Sequence, residues 1–124
     1  MHIILVDWKI NCGEEKEFKR YWREDSCVAD RSRMVGEFLS SISEVGDYPW
    51  ITWDLSKDGD YTRFINVGLW ADANAYEEQI RNYFNPNGEK KPFEFKIRQR
   101  ALLSPKCWRM GDFQLATDDS DGVL

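Results

Sequence analysis

The 124-residue sequence contains one histidine, His2, and three scattered cysteines, Cys12, Cys27 and Cys107. Structural and catalytic metals are held by Cys and His at short, regular spacings, so no metal site is expected. A single His at the second position also leaves a Ser-His or Cys-His nucleophilic pair without support. Cys107 has no His placed in sequence to activate it as a thiolate. Positive charge is scarce too: 17 Lys and Arg against 22 Asp and Glu leave a net charge of −5. Phosphate backbones are bound by basic surfaces, so nucleic acid is not an expected partner. The densest basic run, EKKPFEFKIRQR (89–100), is interleaved with Glu89 and Glu94 and reads as a solvated face.

Other absences narrow the field further. No apolar run approaches the length needed to cross a bilayer, so no membrane partner is expected. The opening MHIILVDW has no basic n-region and meets Asp7 early, which argues against a signal peptide. Reduced thiols in the cytoplasm are the matching expectation. No glycine-rich phosphate loop is present, because VGLW and PNGEK fit no such pattern.

What is there is 42% apolar and 31% charged, the balance of a globular chain. The length suits a single domain, read as residues 1–111, followed by an acidic tail, 112–124. HIILVDWKI (2–10) reads as a strand. Asn11 is the expected helix cap, with Glu14 reaching back as in a capping box. The helix then runs to about Asp25 and buries Phe18, Tyr21 and Trp22. RMVGEFLSSIS (33–43) reads as a second strand with a bulge at Gly36. Residues 44–60 are turn-rich, with Pro49 against a central strand and SKDGD as a tight turn. YTRFINVGLW (61–70) is the third strand. Asp72 caps a second helix through about Phe84, whose stripe is Tyr76, Ile80, Tyr83 and Phe84. NPNGEKKP breaks that helix, FEFKIRQR reads as a short extra helix, and ALLSPKCWRM (101–110) as the fourth strand.

The order is β-α-β twice over, and the halves echo each other at an offset of 62 residues. Trp8, Phe18, Tyr21 and Trp22 recur as Trp70, Ile80, Tyr83 and Phe84. Two such units side by side give an α+β, ferredoxin-like antiparallel sheet with both helices on one face. Strand parity separates the sheet faces. Ile65, Val67 and Leu69, with Ile3 and Leu5, are assigned to the helices. Phe64, Asn66, Gly68 and Trp70, with Ile4, Val6, Trp8 and Ile10, fall on the other face. An open apolar face of that size calls for a cover, and a second copy of the chain, a homodimer, is the expected one.

A strand ending in Trp, a capped helix with an aromatic stripe, an irregular basic segment and a final strand resemble the dimeric α+β barrel superfamily. Within it, residues 2–110 are most similar to the antibiotic-biosynthesis-monooxygenase-like group. The resemblance implies a small cavity between sheet and helices that holds a planar aromatic molecule, oxidised without metal or flavin, so no cofactor is expected. The cavity candidates are Trp8, Asn66, Trp70, Phe64 and Val6. Trp8 and Trp70 would stack on a ring, and Asn66 would orient a carbonyl or hydroxyl. The haem-degrading branch of the family places a Trp at the position of Trp70. Its Asn falls near Trp8 and its His near Ile80, which leaves no axial ligand for haem iron. Asp7, Arg63 and Arg109 are expected on a solvent-facing rim. No residue stands out as a general base, so the catalytic residues stay unknown. Three readings therefore stand side by side: a cofactor-independent monooxygenase-like protein, a non-catalytic small-ligand-binding module, and a structural dimer.

Overall fold

The computed structural model describes residues 1–55, 59–81 and 90–115. Six elements follow in order: β1 (His2–Asn11), α1 (Glu15–Glu24), β2 (Met34–Ser41), β3 (Tyr61–Trp70), α2 (Ala73–Ile80) and β4 (Glu94–Leu103). The four strands form one antiparallel sheet in the order β2-β3-β1-β4, and the α+β, ferredoxin-like arrangement expected from the sequence is present. β1 and β3, the most apolar strands, take the two central places. Their register runs unbroken from His2 opposite Trp70 to Asn11 opposite Tyr61.

The helices cover the face carrying Ile4, Val6, Trp8 and Ile10 together with Phe64, Asn66 and Trp70, all buried. This inverts the assignment made from parity. Ile3, Leu5, Ile65, Val67 and Leu69 are half-buried on the open side instead. Both parities of β1 and β3 are apolar, so alternation alone could not choose between them. Size decides. The helices need bulky partners, and Phe18 of α1 meets Trp8 at 4.9 Å between ring centroids and Phe64 at 5.1 Å. Fully burying a side chain such as Phe18 stabilises the fold by about 1.5–3 kcal/mol. The packing does not repeat the echo residue for residue: Trp8 lies against Phe18 of α1, whereas Trp70 lies edge-on at 5.6 Å to Tyr76 of α2, which is not among the recurring positions.

The helix starts differ from each other. Asp72 caps α2 as expected, its carboxylate accepting from the Ala75 N–H at 2.8 Å. Asn11 does not cap α1. It ends β1, the chain turns through Gly13 at φ +94, and Glu14 is the first cap residue. The Asn11 amide donates to the Glu14 carboxylate at 2.7 Å, so the pair ties strand end to helix start side chain to side chain. The Glu15 carboxylate accepts from the Gly13 N–H and from the Thr62 hydroxyl. The Thr62 bond, first among the causes, holds its carboxyl below the usual range.

The last strand is the largest correction. FEFKIRQR is not a helix. β4 begins at Glu94, seven residues ahead of the expected position, and 104–110 lie beyond its end. Opposite β1, the register shifts twice between Glu94 and Gln99. Those shifts destroy the period-2 pattern by which a strand is recognised. They also bring Glu94 and Arg98 together at a spacing that suggests a helical ion pair. The expected Tyr83 and Phe84, the NPNG break, most of the SKDGD turn and the acidic end of the tail lie outside the described residues.

Candidate functional site

Between the covered sheet face and the helices lies a cavity of about 30 Å³ to which all six elements contribute. β1 supplies Val6 and Trp8, β2 Glu37, β3 Asn66 and β4 Arg98 and Arg100. Tyr21 and Trp22 come from α1, Tyr76 and Ile80 from α2. The free space suits one or two waters.

Glu37 reaches this place because of a bulge. Met34 pairs with Trp70, but Gly36 pairs with Leu69, so one residue is inserted between them. The insertion turns Glu37, paired with Gly68, toward the helices. Gly68 leaves room that any other residue would fill, since a Cβ there would come within 2.9 Å of the Trp70 indole nitrogen. From this position the Glu37 carboxylate accepts a hydrogen bond from the Asn66 amide at 2.8 Å. Burial pushes the Glu37 carboxyl above its ordinary value, and the Asn66 bond and the positive charge of Arg31 only partly oppose this. A half-buried carboxyl with a raised pKa beside a cavity has the attributes of a general base.

The cationic wall comes from β4. Arg98 is held by a buried ion pair, Nη2 to the Glu94 carboxylate at 2.6 Å, with side-chain exposures of 3% and 0%. The same carboxylate accepts from the Arg98 N–H and the Lys91 N–H, both at 2.9 Å. Glu94 thereby satisfies donors beside the irregular stretch of β4, where the ladder is interrupted. The Arg98 guanidinium lies 4.7 Å from the Trp8 ring centroid, a cation–π contact. Arg100 Nε donates to the Tyr76 hydroxyl oxygen at 2.9 Å. Burial raises the pKa of the Tyr76 phenol, Arg100 opposes it and the nearby Glu37 adds to it, so the phenol is held protonated.

Three buried polar atoms find no hydrogen-bond partner among the described residues: Asn66 Oδ1, Arg98 Nε and Trp70 Nε1. The first two belong to residues lining the cavity.

Of the five residues singled out from the sequence, the structure brings Val6, Trp8 and Asn66 together at the cavity. Phe64 and Trp70 stand on the same sheet face but in the packed core outside its lining. Asp7 and Arg63 lie on the open face, joined at 3.0 Å, and Arg109 is exposed. Sequence reasoning missed Glu37, Arg98 and Arg100. The signal for Glu37 was present: a bulge at Gly36 implies a parity change after it. Arg98 and Arg100 were concealed by the misread of β4.

Among the described residues no group of His, Cys, Asp and Glu could hold a metal ion, and no helix is long and apolar enough to cross a membrane. No family model matches the chain, and no curated protein matches it.

Proposed function

We propose that the chain is a cofactor-independent, monooxygenase-like protein that takes a small planar aromatic compound into the cavity and removes a ring-hydroxyl proton with Glu37. One observation carries this reading: a half-buried carboxyl with a raised pKa borders a cavity whose other walls are aromatic and cationic. The proton passes from the hydroxyl oxygen to the Glu37 carboxylate. Arg98 and Arg100 stabilise the resulting phenolate electrostatically, and Trp8, already stacked on Arg98, forms an aromatic wall. Dioxygen is the oxidant. One of its atoms becomes a new carbonyl at the ring carbon opposite the hydroxyl. The other leaves as water with the hydroxyl hydrogen and the hydrogen of that carbon, so no external reductant is consumed. A ring exceeds the free volume, so its entry requires the lining to move apart.

The same proposal includes a homodimer formed through the open sheet face. Its support is the half-buried apolar row Ile3, Leu5, Ile65, Val67 and Leu69, a continuous patch of the kind that marks interfaces. Free, exposed Cys12, Cys27 and Cys107 suit a reducing, cytoplasmic location.

The small cavity favours a second reading, a structural dimer whose aromatics are consumed by core and interface. Oxygen uptake with hydroxylated bicyclic aromatics separates the two. The monooxygenase reading expects uptake that falls by roughly 10²–10⁴-fold in Glu37→Gln, the range for loss of a general base. Binding without uptake identifies a non-catalytic ligand module, and neither binding nor uptake leaves the structural dimer.

A further inference from the structure

We infer that the open sheet face carries a ligand site of its own, at its Lys9 end, for a small molecule that joins a phosphomonoester dianion to a flat apolar body. The strand register sets the two ends of this face apart. At one end Ile3 stands opposite Leu69 on one side and Leu103 on the other. At the other end Lys9 stands opposite Arg63 and Lys96, so three cations lie in a row across β3, β1 and β4. Like charges directly opposite one another on paired strands repel. The row is more than a solvated fringe: the Lys9 and Arg63 side chains, on the two central strands, are each 12% exposed. One carboxylate, Asp7, serves both, accepting from Lys9 Nζ and Arg63 Nε at 3.0 Å each. A local arrangement that opposes stability is the kind of feature retained at functional sites.

The row borders an open concavity of about 830 Å³ that Lys90, Phe95, Ile97 and Gln99 complete, within the range of roughly 300–1,000 Å³ for small-molecule sites. Its lining holds four cations, Lys9, Arg63, Lys90 and Lys96, against the single carboxylate of Asp7, an excess of three in a chain of net charge −5. A dianion offsets most of that excess, and lysine ammoniums bind phosphate as rotatable point charges. In a regular strand Lys96 would face away from Phe95 and Ile97. The two register shifts of β4 opposite β1 bring all three to one concavity. Phe95, packed against Tyr61 at 5.2 Å between ring centroids, offers an aromatic wall to a flat body beside the cations. The site is separate from the cavity on the covered face and shares no lining residue with it.

The test is calorimetric titration of the intact protein at low salt with 1-naphthyl phosphate, inorganic phosphate, 1-naphthol and naphthalene-1-sulfonate. Naphthyl phosphate is expected to bind about tenfold or more tightly than each of the other three, which lack in turn the apolar body, the charge and the second negative charge. Its affinity should fall as salt screens the row. Lys96→Gln, at an exposed position, should weaken it about tenfold while raising the thermal midpoint of the free protein, because it removes one of the opposed charges. Glu37→Gln should leave it unchanged. Any of the three comparison compounds binding as tightly as naphthyl phosphate would overturn the inference, as would an unchanged affinity in Lys96→Gln. Binding lost in Glu37→Gln but kept in Lys96→Gln would overturn it too, placing the probe in the covered cavity and leaving the proposed function standing. No binding of naphthyl phosphate overturns it outright.

Discussion

On β1, Ile4, Val6, Trp8 and Ile10 are buried beneath the helices, whereas Ile3, Leu5, Asp7 and Lys9, one step along the same strand, are half-buried on the open side. The same division runs through β3. The covered side holds the large aromatics and, among them, a set of polar groups with constrained partners: Glu37 with Asn66, Arg98 with Glu94, Arg100 with Tyr76. The open side holds medium aliphatics and, toward one end, part-buried ion pairs in which Asp7 bridges Lys9 and Arg63, each at 3.0 Å. Polar groups in a low-dielectric layer interact strongly and cannot rearrange freely, and the proposed chemistry uses the covered side. The open side has the composition of a contact surface.

Truncation should expose this difference most sharply. Trp70→Ala removes a fully buried indole and should cost about 3–5 kcal/mol, measured by denaturant melts. Glu94→Ala should cost a similar amount, about 3–5 kcal/mol, because it leaves the Arg98 guanidinium buried without its partner. Its midpoint should fall further than that of Asp7→Ala on the open face, whose pairs with Lys9 and Arg63 are less buried. A smaller contrast compares like with like. Ile10→Ala, at a fully buried position, should cost about 2–5 kcal/mol. Leu5→Ala should cost less at low protein concentration, and its penalty should grow with concentration if the open face pairs with a second copy. An equal and concentration-independent cost for both would break the distinction between the faces.

The smallest expected effect is electrostatic. A carboxyl whose pKa is raised on folding binds its proton more tightly in the native state than in the unfolded one. The native state therefore takes up protons, and stability falls as pH rises above the ordinary carboxyl value of 4.5 toward the raised value of Glu37. Glu37→Gln should remove this part of the profile. The variant should gain stability relative to wild type on passing from acid toward neutral pH, with the difference constant below the ordinary value. Melts of both proteins at matched pH values check the sign.

The two faces also explain what could be read without coordinates. The strands β1 and β3, the bulge at Gly36 and the Asp72 cap were legible, because each rests on local patterning or local hydrogen-bond chemistry. The face assignment was not, because Ile-Leu-Val and Ile-Val-Trp sequences are equally apolar and only the packing of Phe18 distinguishes them. β4 was hidden by its register shifts, which place Arg98 four residues from Glu94 while keeping both inward. Trp8 and Asn66 could be named in advance because aromatic and polar residues stand out within an apolar strand, and Val6 because strand parity puts it on the face of Trp8. Glu37 had a local signal in the bulge at Gly36, but its half-buried environment is built by the five other elements and was not legible.

Glu37 is proposed to accept a proton from a ligand held in the cavity on the covered face. The direct measurement is the absorbance spectrum of a hydroxylated bicyclic aromatic bound anaerobically, at a pH below its solution pKa. The wild-type complex should show the red-shifted band of the deprotonated ring and the Glu37→Gln complex the neutral spectrum, both complexes forming. A neutral spectrum with the wild type, or the deprotonated band persisting in Glu37→Gln, would contradict it.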